Sequence, residues 1–312
     1  MSDSMFGPVG AMDGAGFVED TFDTLGGGGC CGSSDNPLRP TGVVPETTRR
    51  PNEPWFRGHT WPPTSLPGAN WPTVPVPVIG PQDLTAWSPM NHSLTVLAEF
   101  VQETDAGGNP AWINLLDPAV PADSPPVNPA VLAAEVAELR QLVAFRSGAM
   151  AEAMAQRGGL IGYFRGVLSF SPETHPNTYY LCAAALRIGQ FQCMHYKKVF
   201  RRPRPGRIIP GLMLPFDAPG HPSYPSGHAT ESYLIAMCLE AVVPAAISGG
   251  LPNIQQGPLR RLAERMSKVR EVLGLHYPSD TVAGVTLAQR TFPIMQACPT
   301  VVQLTAQAQL EW

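Results

Sequence analysis

Apolar positions recur at helical spacing through most of the chain after Pro81. The stretches run from about Asp83 to Glu103, Pro129 to Arg157, Leu160 to Ser169, Asn177 to Phe200, His228 to Val243, Gly257 to Leu273 and Pro278 to Phe292, with a short one from about Thr300. Within Asn177–Phe200, Tyr180, Ala184, Leu186, Ile188, Phe191 and Met194 make a broad apolar surface, the mark of a helix packed inside a bundle. Pro129 suits a first helical position, where its missing N–H costs nothing. Alternation of period two is scarce, so the pattern predicts an all-α helical bundle over residues 84–312. Residues 1–83 have little periodicity and are crowded with Gly and Pro, including Gly26 to Gly29 and Pro62-Pro63. They read as an extended or partly disordered N-terminal arm. Its tryptophans, Trp55, Trp61 and Trp71, fit either a loosely attached tail or a segment laid across the body or a neighbouring subunit, which would make the arm a homo-oligomer contact.

With 312 residues, 44% hydrophobic and 15% charged, the chain has material for one sizeable core or two small ones. A formal net charge of -4 supplies no global basic field, which argues against nucleic acid or an anionic membrane as partner. Six cysteines (Cys30, Cys31, Cys182, Cys193, Cys238, Cys298) without a C-x-x-C pair argue against a disulfide framework or zinc ribbon. Met1 to Val18 has neither a basic residue nor an apolar run of signal-peptide length. The most apolar long window, Tyr233 to Leu251, is broken by Glu240, Pro244 and Ser-Gly-Gly, so it reads as a buried helix rather than a span. The expectation is a cytoplasmic protein with no membrane span.

Three segments carry chemistry. In Lys197-Lys198-Val199-Phe200-Arg201-Arg202-Pro203-Arg204-Pro205 the prolines end a helix and hold Arg204 extended. Lys197 and Arg204 then converge on one anion or remain a solvated basic patch. In His221-Pro222-Ser223-Tyr224-Pro225-Ser226-Gly227-His228, a turn leads into the apolar helix. Ser226 and the Gly227 N–H face an anion at the positive helix end, or Ser226 simply caps it. His228, in the first turn, is placed to give a proton to a leaving group. His221 reads as a substrate contact, or as a structural histidine after the Pro219-Gly220 turn. In Arg270-Glu271-Val272-Leu273-Gly274-Leu275-His276-Tyr277-Pro278-Ser279-Asp280, Gly274 ends one helix and Pro278 starts the next. His276 sits in the corner, and Asp280 either accepts its Nδ1–H or caps the following helix.

Read together as Lys197-x6-Arg204-Pro205, Pro225-Ser226-Gly227-His228 and Arg270-x5-His276-x3-Asp280, the segments resemble the type 2 phosphatidic acid phosphatase and vanadium haloperoxidase superfamily, with motifs K-x6-RP, PSGH and SR-x5-H-x3-D. The departure is Val269 where that pattern has serine, with Ser267 two residues earlier. The resemblance covers about residues 178–292 and implies a helical bundle of the acid phosphatase/haloperoxidase type. It further implies that Lys197, Arg204 and Arg270 clamp the oxygens of a tetrahedral anion, with Ser226 and Gly227 completing the pocket. It makes His228 the general acid, His276 the nucleophile, and Asp280 the residue that orients it.

The superfamily's two activities share this pocket. One is phosphate ester hydrolysis through a phosphohistidine, with no cofactor. The other is halide oxidation by hydrogen peroxide with vanadate as cofactor, where His276 is the vanadium ligand. His221-x6-His228 is similar to a histidine spacing of bromoperoxidases, a resemblance that implies a halide contact for His221, whereas a body of about 230 residues is short for the haloperoxidases. The expectation is a soluble phosphohydrolase acting on a small phosphate ester. The alternatives are a haloperoxidase taking halide and peroxide, and a noncatalytic oxyanion-binding scaffold.

Overall fold

In the computed structural model, residues 87–157, 159–249 and 257–312 are described, and the arm expected over 1–83, with its tryptophans and Cys30 and Cys31, lies outside them. The described residues are mainly helical and contain no sheet. Helices α1 (Pro89–Phe100), α2 (Pro129–Leu142), α3 (Arg146–Arg157) and α4 (Leu160–Arg165) precede the long α5 (Pro176–Phe200). A short α6 (Pro205–Ile208) follows, then α7 (Gly227–Val242), α8 (Ala245–Ser248), α9 (Pro258–Val272), α10 (Pro278–Ala297) and α11 (Pro299–Ala308). Proline opens many of them, where its fixed φ favours the first turn and its absent N–H leaves no bond unmade.

Helix α7 is the axis of the bundle, and α5, α9 and α10 pack around it. Leu234, Ile235, Ala236 and Leu239 of α7 are buried against Leu181, Ala184 and Ile188 of α5 and Leu259, Ala263 and Met266 of α9. Each fully buried leucine or isoleucine adds about 1.5–3 kcal/mol, so this axis contributes strongly to the stability of the bundle. Contact is closest where glycine removes a side chain. A β-carbon at Gly189 would come within 3.1 Å of the Glu231 Cγ, joining α5 to α7. One at Gly284 would sit 2.6 Å from the Ser226 carbonyl and 2.8 Å from the Ala229 Cβ, joining α10 to the start of α7.

Two expected elements differ from the sequence pattern. The stretch Pro129–Arg157 is two helices with a single 3-10 turn, Val143–Phe145, between them. Buried Arg146 begins α3 and reaches the carbonyls of Val272, Leu212 and Met213. Helix α10 passes through Pro293 to Ala297 instead of ending at Phe292. The lost backbone bond is outweighed there because Met295 and the following Cys298 are fully buried in the main core. No described helix is long and apolar enough to cross a membrane.

Candidate active site

The pocket forms where the ends of α5, α7 and α9 meet. Helix α5 stops at Arg201, which adopts a left-handed conformation with φ 52°. The last turn holds Lys197, buried, with Nζ donating to the carbonyls of Pro222 (2.8 Å), Ser223 (3.0 Å) and Pro225 (2.8 Å). Burial, then the charge of Arg204, pulls Lys197 down to about 7. Three carbonyl acceptors call for three N–H donors, which only the ammonium form has.

Between the two prolines Arg204 is extended, φ -70° and ψ 152°. Its Nε donates to the His221 carbonyl (3.0 Å) and its Nη1 to the Leu275 carbonyl (2.9 Å). The same guanidinium lies 3.3 Å from His276 Nε2 and 3.1 Å from His221 Nδ1. Arg270, in the last turn of α9, donates Nη2 to Gln156 Oε1 (2.7 Å) and the Ala153 carbonyl (3.1 Å). Its buried Nε has no hydrogen-bond partner. Burial lowers Arg270 to about 10, which leaves it charged at neutral pH.

Ser226 caps α7 through Oγ on the Ala229 N–H (3.5 Å), and its own N–H donates to the Asp280 carbonyl (2.9 Å). Gly227 and His228 follow as the first turn and line the pocket; Ser226 stands behind the wall, fully buried. The His228 Nε2 is buried without a partner. Burial, reinforced by Arg270, His276, Arg204 and Lys197, holds His228 well below the usual histidine range.

Gly274 ends α9 with φ 75°, and a β-carbon there would meet Arg146 Nη2 and Leu214 Cδ2, each at 2.9 Å. This tight corner sets His276 facing the pocket. Its Nδ1 is 3.1 Å from Asp280 Oδ2, which also accepts the Tyr277 N–H (3.0 Å). A carboxylate only accepts, so the proton resides on Nδ1, and Nε2, on the pocket side, is the acceptor of the 3.3 Å contact from Arg204 Nη1. Burial, then Arg204 and Lys197, depresses His276 well below its ordinary value.

Behind this pair runs a buried ion-pair chain absent from the motif reading. Arg202 donates Nη1 to Asp280 Oδ1 and Nη2 to Glu135 Oε2, both at 2.8 Å. It also lies 3.9 Å over the Tyr277 ring. Burial raises Asp280, and Arg202 is the largest influence holding it down.

Lys197, Arg204, His221, Gly227, His228, Arg270 and His276 therefore line one pocket, with Asp280 behind His276. Sequence reasoning missed Arg202, Glu135, Gln156 and Glu231. Arg202 has a signal, since residues two apart in an extended segment share a face. Glu231 follows His228 by three, a helical neighbour. Glu135 and Gln156 arrive from α2 and α3 with no local signal.

Three cations make the pocket hostile to a metal cation and suited to a tetrahedral oxyanion, and the unpartnered His228 Nε2 and Arg270 Nε are hydrogen-bonding atoms for its oxygens. Residues 178–300 match the model of the PAP2 superfamily. The chain is similar to the vanadium-dependent bromoperoxidase of Ascophyllum nodosum, 32% identical over 92 residues, covering 23% of this chain and 16% of that protein. It is also similar to the decaprenylphosphoryl-5-phosphoribose phosphatase of Mycobacterium tuberculosis, 34% identical over 91 residues, covering 29% of this chain and 44% of that protein. The matched region is thus less than half the length of either relative.

Proposed function

We propose that this chain, whose residues 178–300 belong to the PAP2 superfamily, hydrolyses phosphate monoesters through a phosphohistidine on His276. The observation that carries this reading is the His276–Asp280 pair, 3.1 Å apart, whose unprotonated Nε2, 3.3 Å from Arg204 Nη1, faces the same pocket as Lys197, Arg204 and Arg270. A binder needs the cations alone; an oriented, deprotonated imidazole nitrogen is the equipment of a nucleophile.

The steps follow from that placement. Arg204, the unpartnered Nε of Arg270 and the Gly227 N–H take the nonbridging oxygens, Lys197, its three N–H groups held by carbonyls, contributes its charge, and the entering anion draws Arg204 away from Nε2. The Nε2 lone pair attacks phosphorus, the P–O ester bond breaks, and the leaving alkoxide takes a proton from protonated His228. Water then gives its proton to neutral His228 and its oxygen to phosphorus, breaking the P–N bond and releasing inorganic phosphate. Asp280 stabilises the positive ring throughout and keeps its proton on Nδ1.

A second reading is favoured by His221, which lines the pocket beside Arg204, and by the similarity to a bromoperoxidase. In that reading His276 Nε2, Lys197, Arg204 and Arg270 would hold vanadate, which would supply activation of hydrogen peroxide toward halide. Purified protein assayed in parallel separates the two. Release of p-nitrophenol from its phosphate ester, blocked by vanadate and abolished in His276→Ala, is the expected result. An alkali-stable, acid-labile phosphoryl group on the His276 peptide accompanies it. Bromination of monochlorodimedone that requires added vanadate, with no ester cleavage, would establish the haloperoxidase instead.

A further inference from the structure

Among the described residues lining the pocket, Glu231 carries the one carboxyl group. It is 1% exposed, and its Oε2 is buried with no hydrogen-bond partner. The close approach at Gly189 fixes its stem against α5. Its Oε1 lies toward the start of α7, 3.7 Å from where a β-carbon on Gly227 would sit. The cations whose charges reach it are Lys197 and Arg187 from α5 and Arg270 from α9. Cys193 of α5 also senses it, His228 shares its helix, and Arg204, His221 and His276 line the pocket from the connecting segments. A carboxylate in such a place would repel the anion the cations attract. A carboxylic acid does the opposite, since its O–H is a donor.

We propose that Glu231 is a further anion-contacting residue of this pocket, its neutral carboxyl group donating a hydrogen bond to an oxygen of the bound tetrahedral anion. The proposal rests on the oxyanion reading of the site and adds to it a donor outside the three motifs. Burial outweighs the neighbouring cations and lifts this carboxyl to about 8, so the acid form prevails at neutral pH. The sign follows directly: the donor is present below that value, and a repelling charge replaces it above.

The test is calorimetric affinity of the full chain for inorganic phosphate and for orthovanadate from pH 6 to 9, for wild type, Glu231→Gln and Glu231→Leu. Glutamine keeps a donor and cannot ionise, and circular dichroism checks that each variant is folded. Because ligand ionisation is common to wild type and Glu231→Gln, the difference between their pH profiles reports the carboxyl together with its charge coupling to Lys197. The expected results are near-equal affinity of wild type and Glu231→Gln at pH 6, and up to tenfold per pH unit additional loss in wild type above pH 8. Glu231→Leu should bind about tenfold or more weakly at pH 6. Parallel profiles for wild type and Glu231→Gln, or wild-type affinity in Glu231→Leu, overturn the role of Glu231 while leaving the pocket intact. No saturable binding of either anion by wild type overturns the oxyanion reading itself and this inference with it.

Discussion

Replacing Arg202 by methionine tests whether the chain behind His276 is what holds the site together. Methionine has similar length and no charge, so the variant removes both 2.8 Å ion pairs and leaves Asp280, fully buried, and Glu135, 8% exposed, without their cation. Breaking a buried pair from one side costs about 3–5 kcal/mol, because the abandoned charge has no water to turn to. For a body of this size each kcal/mol is worth about 2–4 °C, so the melting temperature should fall by about 6–20 °C. Neighbouring Arg201 is exposed and its Nε bonds only the Lys198 carbonyl, so Arg201→Met should stay within about 0.5 kcal/mol of wild type. A second effect should appear in turnover. With Arg202 gone, the largest influence opposing the burial of Asp280 is lost, its carboxyl rises further, and His276 loses its oriented partner as pH falls. The acid limb of the pH–rate profile therefore moves upward. Denaturant unfolding of wild type, Arg202→Met, Glu135→Gln and the double variant gives the coupling directly. An Arg202→Met protein within about 1 kcal/mol of wild type, or strictly additive costs in the cycle, would refute the reasoning.

Three other perturbations read different parts of the site. Asp280→Asn should fold, since Arg202 retains Glu135, but its turnover should drop by about 10- to 100-fold or more because nothing then enforces the Nδ1 proton; wild-type kinetics would remove Asp280 from the mechanism. Gly284→Ala places a β-carbon 2.6 Å from backbone that cannot yield, so a loss of about 1–3 kcal/mol together with weaker phosphate binding is expected; a neutral variant would mean that the α7–α10 contact is soft. Phosphate binding at pH 7 should take up protons, because the anion offsets the burial and cations that depress His228; titration in two buffers of different ionisation enthalpy measures this, and the part owed to His228 should vanish in His228→Asn. Uptake unchanged in that variant would assign the proton elsewhere.

Local chemistry wrote much of this site into the sequence. Pro203 and Pro205 flank an extended Arg204, Gly274 takes the left-handed corner, and Pro278 opens α10 with Asp280 three residues from its Tyr277 cap. Each depends on neighbours within a few residues, which is why spacing alone revealed it. The supports behind the site depend on contacts of long sequence separation. Glu135 meets Arg202 across 67 residues, and Gln156 meets Arg270 across 114. The continuation of α10 through Pro293 is of the same kind, because the burial of Met295 is decided by the bundle and not by the helix. The motifs name the pocket-lining groups and their local supports, Ser226 and Asp280; they are silent about the supports that arrive from distant segments.

The distribution of charge across the site gives a physical reason for that division. Behind His276, the charge of Asp280 is met by Arg202, and the charge of Arg202 is shared with Glu135. In front, Lys197 is held by three backbone carbonyls, and Arg270 by a carbonyl and the Gln156 amide oxygen. Carbonyl dipoles orient a cation without cancelling its net charge, so the field in front of His276 remains positive while the field behind it is balanced. A tetrahedral anion is the complement of that front, and its arrival lowers the cost of protonating the two histidines that burial and cations depress. Burial and cations therefore favour neutral imidazoles at both histidines, with His276 Nε2 facing Arg204, and a bound anion would favour an imidazolium on His228. On the proposed mechanism, binding itself would create the general acid next to the nucleophile, and a carboxylate at the same front would weaken that coupling. The arrangement is consistent with Glu231 being neutral, and it makes phosphate affinity, histidine protonation and turnover vary together with pH.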